Sequence, residues 1–229
     1  MKGFIHYVAS HKGSVEQAKQ SYDSFVKHGW DVELVEGITP ETLVESEFDY
    51  PLIKGGRLIG FRSENNRTYQ IKKSCLSNQI RLWRKVVEMD EPMAFIEHDA
   101  ICIAPYNNDS FDELLCLNIE YAFQPPSVLG TLSHLKGYKA PLAFSPKPLD
   151  IGYPLRYYKS NVYKNHPMMP GTAAYVVSPK GAKRLLASAE KYGIDQSDFF
   201  INTHNVNIEY ISPSPVKFNT KNLNTSHKL

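Results

Sequence analysis

The first half of the chain alternates short apolar runs with capped, amphipathic segments, and that order leaves few folds open. Phe4 to Ala9 reads as a strand. Ser14 with Gln17 reads as a capping box for a helix that runs to about His28, and Gly29 ends it. Asp31 to Val35 is a second strand, and Thr39-Pro40 opens a short helix with proline at its first position. Strand, helix, strand and helix in succession argue for a parallel, Rossmann-like sheet, because parallel neighbours need a crossover between them.

A long irregular stretch follows, from Tyr50 to Tyr69, holding Gly55-Gly56 and Asn65-Asn66. A loop of that length in a compact domain is usually functional or mobile. Gln70 to about Met89 is then a helix that buries Ile71, Cys75, Ile80, Leu82, Trp83, Val86 and Val87. Next comes the apolar run Met93-Ala94-Phe95-Ile96, bounded upstream by Asp90-Glu91-Pro92 and read as a buried strand. Glu97 and Asp99 leave that strand at spacing i, i+2, with His98 between them. Mn²⁺ or Mg²⁺ takes hard oxygen ligands of this kind and bridges the phosphates of a nucleotide. Ligands of α/β sheets bind outside the carboxyl ends of the strands, where these acids stand.

Short strands follow around Cys102, Ile103, Ile119, Tyr121 and Phe123. The proline- and tyrosine-rich stretch 124–170 shows no strong period and reads as an excursion over the acceptor side of a cleft. Thr172 to Val177 returns to the sheet, and Ser178-Pro179 caps a helix from Lys180 to Tyr192. Asp195 to about Thr203 is another helix, Ile208 to Ile211 a last strand, and the tail from Pro213 has no periodicity.

Bulk properties narrow the class. A hydrophobic content of 42% with 12% aromatics excludes a disordered chain, and 229 residues suit one domain, 1–229. No apolar run approaches the roughly 20 residues of a membrane span. Cys75, Cys102 and Cys116 read as reduced core residues of a cytoplasmic protein. The net charge of +2 hides two basic stretches, one in the loop 50–69 and its flanks and one in the excursion. Arg57, Arg62 and Arg67 stand in the first and Arg156, Lys159 and Lys164 in the second, where Tyr153, Tyr157, Tyr158 and Tyr163 interleave with them, a pattern that suits a polyanion. Solvated loops balanced by acidic helices elsewhere give the same pattern.

Three blocks carry a resemblance. They are Ser74-Cys75-Leu76-Ser77-Asn78-Gln79-Ile80-Arg81-Leu82-Trp83, the Glu97-His98-Asp99 strand end, and Gly171-Thr172-Ala173-Ala174-Tyr175 running into Ser178-Pro179-Lys180-Gly181-Ala182-Lys183-Arg184-Leu185-Leu186. Asp198-Phe199-Phe200 follows. In order and spacing the chain resembles glycosyltransferase family 25, whose members are mostly lipopolysaccharide-type sugar transferases. Departures are visible: the family's Ser-His falls on Asn78-Gln79, its Glu-Asp-Asp on Glu97-His98-Asp99, and its N-terminal Asn-Leu-x-x-Arg-x-x-Arg has no clear counterpart.

The resemblance implies a single GT-A-like α/β domain with a mostly parallel central sheet, and a nucleotide-sugar donor, expected to be a UDP-sugar. Asp99 and Glu97 are then the expected metal ligands, with His204 or His227 as a possible late third ligand. Asp198, by its Phe-Phe suffix, matches the family's late acid and is the expected general base. Asp195 is a second candidate, with a helix N-cap as its alternative role. His11, Lys12, Glu97, Gly171 and Thr172 are expected around the donor. For the acceptor, the basic stretches and the missing N-terminal motif favour DNA with a hydroxymethylated base of the bacteriophage kind, acted on in the host cytoplasm. A lipopolysaccharide or oligosaccharide acceptor is the alternative. A metal-dependent phosphodiesterase would need more clustered acids, and a non-catalytic nucleic-acid-binding protein would leave the paired carboxylates without a role.

Overall fold

The computed structural model describes residues 1–106, 110–120, 141–149, 162–163, 166–169 and 171–219. Most of the excursion 124–170 lies outside them, as do Arg156, Lys159, Lys164 and His227.

The described chain runs β1 (Lys2–Tyr7), α1 (Lys12–Lys27), β2 (Asp31–Glu36), α2 (Arg57–Glu64), α3 (Asn66–Met89), β3 (Met93–Glu97), β4 (Ala100–Cys102), β5 (Leu114–Cys116), β6 (Ala143–Pro148), β7 (Ala174–Val177), α4 (Pro179–Tyr192), α5 (Ser197–Phe200), β8 (Ile208–Ser212) and β9 (Val216–Phe218). Seven strands form one mixed sheet in the order β2-β1-β3-β7-β5-β8-β6. Strands β1, β2, β3, β5 and β8 share one direction, and β7 and β6 run against it. The fold is therefore α/β, with the parallel β2-β1-β3 half that the order of elements predicts.

The period of two along each strand divides the core. Phe4, Phe95 and Tyr175 are cross-strand partners on one face, packed with Leu76, Ile80 and Trp83 of α3 and with Leu185 of α4. Ile5, Ile96 and Val176 point to the other face, with Ala18 and Phe25 of α1.

Local chemistry accounts for the helix ends. Ser178 caps α4 by accepting from the Gly181 N–H at 3.1 Å, with Pro179 at its first turn, as the sequence predicts. Gly181 lets that turn lie directly on the Glu113 backbone, where a side chain would collide. Gly29 closes α1 in the left-handed region at φ 82°.

Several expectations are corrected. Helix α1 begins three residues earlier than predicted, with His11 instead of Ser14 as its cap: His11 Nδ1 accepts from the Ser14 N–H at 3.1 Å. Ser14 instead accepts from the Val8 N–H at 2.9 Å, tying the helix start back to the end of β1. Thr39-Pro40 starts only a turn, and a short 3-10 segment follows at Glu45–Phe48. The stretch 50–69 is not an irregular loop but carries α2 and the start of α3. The last predicted helix shrinks to Ser197–Phe200. The tail contributes β9, which pairs antiparallel with β4, because a three-residue strand is too short to announce itself by period.

Candidate active site

The site forms where β1 and β3 end. Glu97 is the last residue of β3, and its N–H donates to the Ala173 carbonyl at 2.8 Å. Gly171, at φ +76°, turns the chain just before β7. That turn delivers the Thr172 hydroxyl to Glu97 Oε1 at 2.6 Å. Asp99 follows in the turn into β4, and its carbonyl accepts from the Asn219 N–H at 2.7 Å, so the segment after β9 braces the acidic turn.

Two further carboxylates, Asp99 and Asp198, act on Glu97 electrostatically. Burial first, then the Asp99 charge, pushes Glu97 up to about 8, and Asp198 adds to the rise. The Thr172 hydrogen bond and the Lys72 ammonium pull the other way. Asp198 stands in the first turn of α5, and the neighbouring Phe200 holds that turn by stacking on Trp83 at 5.9 Å. Burial holds His98 below its ordinary value, with the Asp99 carboxylate opposing. His11 acts electrostatically on His98, which places the start of α1 beside the acidic turn. Lys12 is exposed at the same end and reaches Glu16 at 3.8 Å.

The motifs behind the resemblance touch one another. Trp83 Nε1 donates to Tyr175 Oη at 2.9 Å, and Tyr175 Oη donates to Gln79 Oε1 at 3.1 Å, all buried. Asn78 faces the loop after β2: its Oδ1 accepts from the Ile38 N–H at 2.7 Å and its Nδ2 donates to the Ile38 carbonyl at 3.0 Å. The helix block, the Gly-Thr-x-x-Tyr block and the acidic strand end are thus one connected piece of structure.

Three side chains stand differently from expectation. Asp195 is 1% exposed, and its Oδ1 accepts from the N–H groups of Leu58 at 2.7 Å and Gln196 at 2.8 Å. It takes the helix-capping role named as its alternative, but for the first turn of α2 across the fold. His204 lies with Tyr163, His166 and Tyr192, at ring-centroid distances of 5.2, 5.2 and 5.3 Å, and not with Glu97 and Asp99. Among the described residues no three His, Cys, Asp or Glu come together as a metal-holding group. Cys75 is not a core residue: it is exposed. Cys75 and Lys72 both feel the acidic cluster, and the sequence reading missed them as cleft residues. Their spacing of three on α3 is the signal that could have found them.

Of the basic residues expected to meet DNA, the three that are described each contact a neighbour within the chain. Arg67 pairs with Glu41 at 2.6 Å, and the guanidinium groups of Arg57 and Arg62 lie 5.4 and 5.7 Å from the ring centroids of Phe199 and Tyr69. Among the described residues, no helix is long and apolar enough to cross a membrane.

The profile of glycosyltransferase family 25 (LPS biosynthesis protein) matches residues 5–201. The chain belongs to this family and is a glycosyltransferase that uses a nucleotide-sugar donor. Among solved structures it is similar to a galactosyltransferase, LgtC, crystallised with donor and acceptor sugar analogues. The identity is 10% and the TM-score 0.41, over 92% of this chain and 73% of that one. No curated protein matches the sequence significantly. The family description favours a lipopolysaccharide acceptor over the DNA acceptor expected from the basic stretches.

Proposed function

We propose that this enzyme transfers a sugar from a nucleotide-sugar donor to a hydroxyl of a lipopolysaccharide-type saccharide, in the cleft formed by Glu97, Asp99 and Asp198. The observation that supports this reading is the Glu97 carboxyl at the end of β3, held by the Thr172 hydroxyl at 2.6 Å and acted on by the charges of Asp99 and Asp198. Asp99 and Glu97 offer hard oxygen donors of the kind that Mn²⁺ or Mg²⁺ takes, and would be its ligands. Such an ion would neutralise the diphosphate as it leaves.

The protein's own groups do the rest. The His11 and Lys12 end of α1 lies beside the acidic turn, where a helix N-terminus favours phosphate. Thr172 orients Glu97 through its hydroxyl. Asp198 takes the proton of the acceptor hydroxyl as its oxygen bonds to the sugar carbon, and the bond from that carbon to the diphosphate breaks. Lys72 limits the negative charge the cleft must bear.

The test is incubation with radiolabelled nucleotide sugars, Mn²⁺ and a panel of truncated lipopolysaccharide oligosaccharides. Label appearing in the oligosaccharide, and lost with EDTA, supports the reading. Label passing instead to DNA that carries 5-hydroxymethylcytosine, with none in any oligosaccharide, would overturn the acceptor assignment.

A further inference from the structure

A second concavity, apart from the carboxylate site, opens between the end of α4 and the residues Val162, Tyr163 and His166. Its volume is about 600 Å³, and its walls include Lys54, Tyr163, His166, Tyr192 and His204. That size lies within the roughly 300–1,000 Å³ usual for small-molecule sites. It shares none of its lining with Glu97, Asp99 or Asp198.

Its walls are built rather than incidental. The His204 ring stands at the centre of an aromatic group, tilted against Tyr163 and Tyr192 and edge-on to His166. His166 is held by Thr203 Oγ1 at 3.3 Å. Tyr192 is 43% exposed, so a ring face remains open to a ligand. Aromatic faces of this kind receive the C–H faces of sugars and exclude water from them.

Among the described residues the wall itself holds a lysine and no acid. Lys54 is in the wall and the Lys191 ammonium lies 4.9 Å from the Tyr192 ring centroid, whereas Arg184 is already taken up by Glu113 at 2.9 Å. Asp195 is the acid that Tyr163 feels, and its Oδ1 is already occupied by the Leu58 and Gln196 N–H groups. A neutral sugar would use the aromatic faces and leave the cations unanswered, whereas an anionic one answers both.

We infer that this pocket binds an anionic sugar residue, carrying a carboxylate or a phosphate, as a subsite for a charged unit of the acceptor. The inference rests on the saccharide acceptor proposed above. The pocket connects to the cleft through the chain itself: Ile194, whose carbonyl accepts from Ile53 at 3.0 Å, precedes Asp195 and the Asp198 turn. The segment 166–169 leads, on its other side, to Gly171-Thr172. A sugar seated here is held by the same two segments that carry the proposed base and the Glu97 partner.

The test is direct binding, without donor, of three probes to the full chain: a glucuronate-containing disaccharide, glucose 6-phosphate and neutral maltose. Saturation-transfer NMR reads binding, and donor hydrolysis is measured in parallel. The anionic probes are expected to bind at least ten-fold tighter than maltose. Tyr192→Ala and Lys54→Ala should each weaken the anionic probes at least five-fold while leaving donor hydrolysis unchanged. The carboxylate and phosphate arms show which anion is preferred. Equal affinity for maltose, or anionic binding untouched by both variants, overturns the inference. Absence of donor hydrolysis with intact anionic binding would instead count against the transferase reading and leave the pocket standing.

Discussion

Thr172 Oγ1 donates to Glu97 Oε1 at 2.6 Å, across 75 residues of sequence. This bond joins the Gly-Thr-x-x-Tyr block to the acidic strand end and fixes which oxygen of Glu97 remains free. Thr172→Val keeps the shape and removes the donor. A hydrogen bond to a charged group contributes about 1.5–3 kcal/mol, so kcat/KM should fall roughly ten- to hundred-fold. Thr172→Ser should keep most of the activity. Steady-state kinetics of the two variants, side by side, check this.

Asp99→Ala is expected to abolish transfer while leaving the fold intact, because Asp99 sits in a turn at the cleft and not in the core. EDTA should stop transfer in the wild type, and Mn²⁺ should restore it. Near-normal activity of Asp99→Ala with Mn²⁺ present would remove Asp99 from the metal site.

Asp198 and Asp195 should separate cleanly. Asp198→Asn removes a basic oxygen and should lower the single-turnover rate by a factor on the order of 10²–10⁴, with donor affinity little changed. Asp195→Ala leaves the buried Leu58 N–H without its acceptor and should lower stability by about 1–3 kcal/mol. Rapid-quench kinetics for the first and urea unfolding for the second distinguish base from cap.

Tyr175→Phe deletes the hydroxyl that links Trp83 Nε1 to Gln79 Oε1. Each buried group left unsatisfied costs about 1–3 kcal/mol. The melting temperature should therefore drop by several degrees, since about 1 kcal/mol corresponds to ~2–4 °C in a chain of this size. An unchanged melting temperature would mean that water replaces the hydroxyl at no cost.

His6 supplies the pH test. It is 8% exposed and stacked on Phe95 at 4.6 Å, and burial, followed by the Arg81 charge, lowers its ring to about 3. The unfolded chain then binds a proton at His6 that the folded chain refuses. Stability from this residue is complete above about 6.5 and is lost as the pH falls toward 3, at up to about 1.4 kcal/mol per pH unit. His6→Phe should flatten the acid limb of a denaturation series in that window. An identical acid limb in the variant would show that other groups set it.

What the sequence determined by itself was local. The unbroken apolar run Met93–Ile96, the Ser178-Pro179 start of α4 and the Gly29 stop of α1 each depend on neighbours within a few residues, so pattern alone reveals them. The spacing of the three family blocks likewise disclosed the class of enzyme before any contact was known. Remote pairings were not legible. Asp195 looks the same in sequence whether it accepts a substrate proton or the Leu58 N–H, 137 residues away. His204 looks like a ligand until the end of α4 draws it among Tyr163, His166 and Tyr192. Lys72 and Cys75 look like a solvated charge and a core thiol until α3 lays that face along the Glu97 end of β3. Strand β9 has no period of its own and exists because β4 offers it an edge. In each case the deciding energy is a hydrogen bond, a burial or a charge shared with a residue far along the chain, and only the order of strands in the sheet brings the two together.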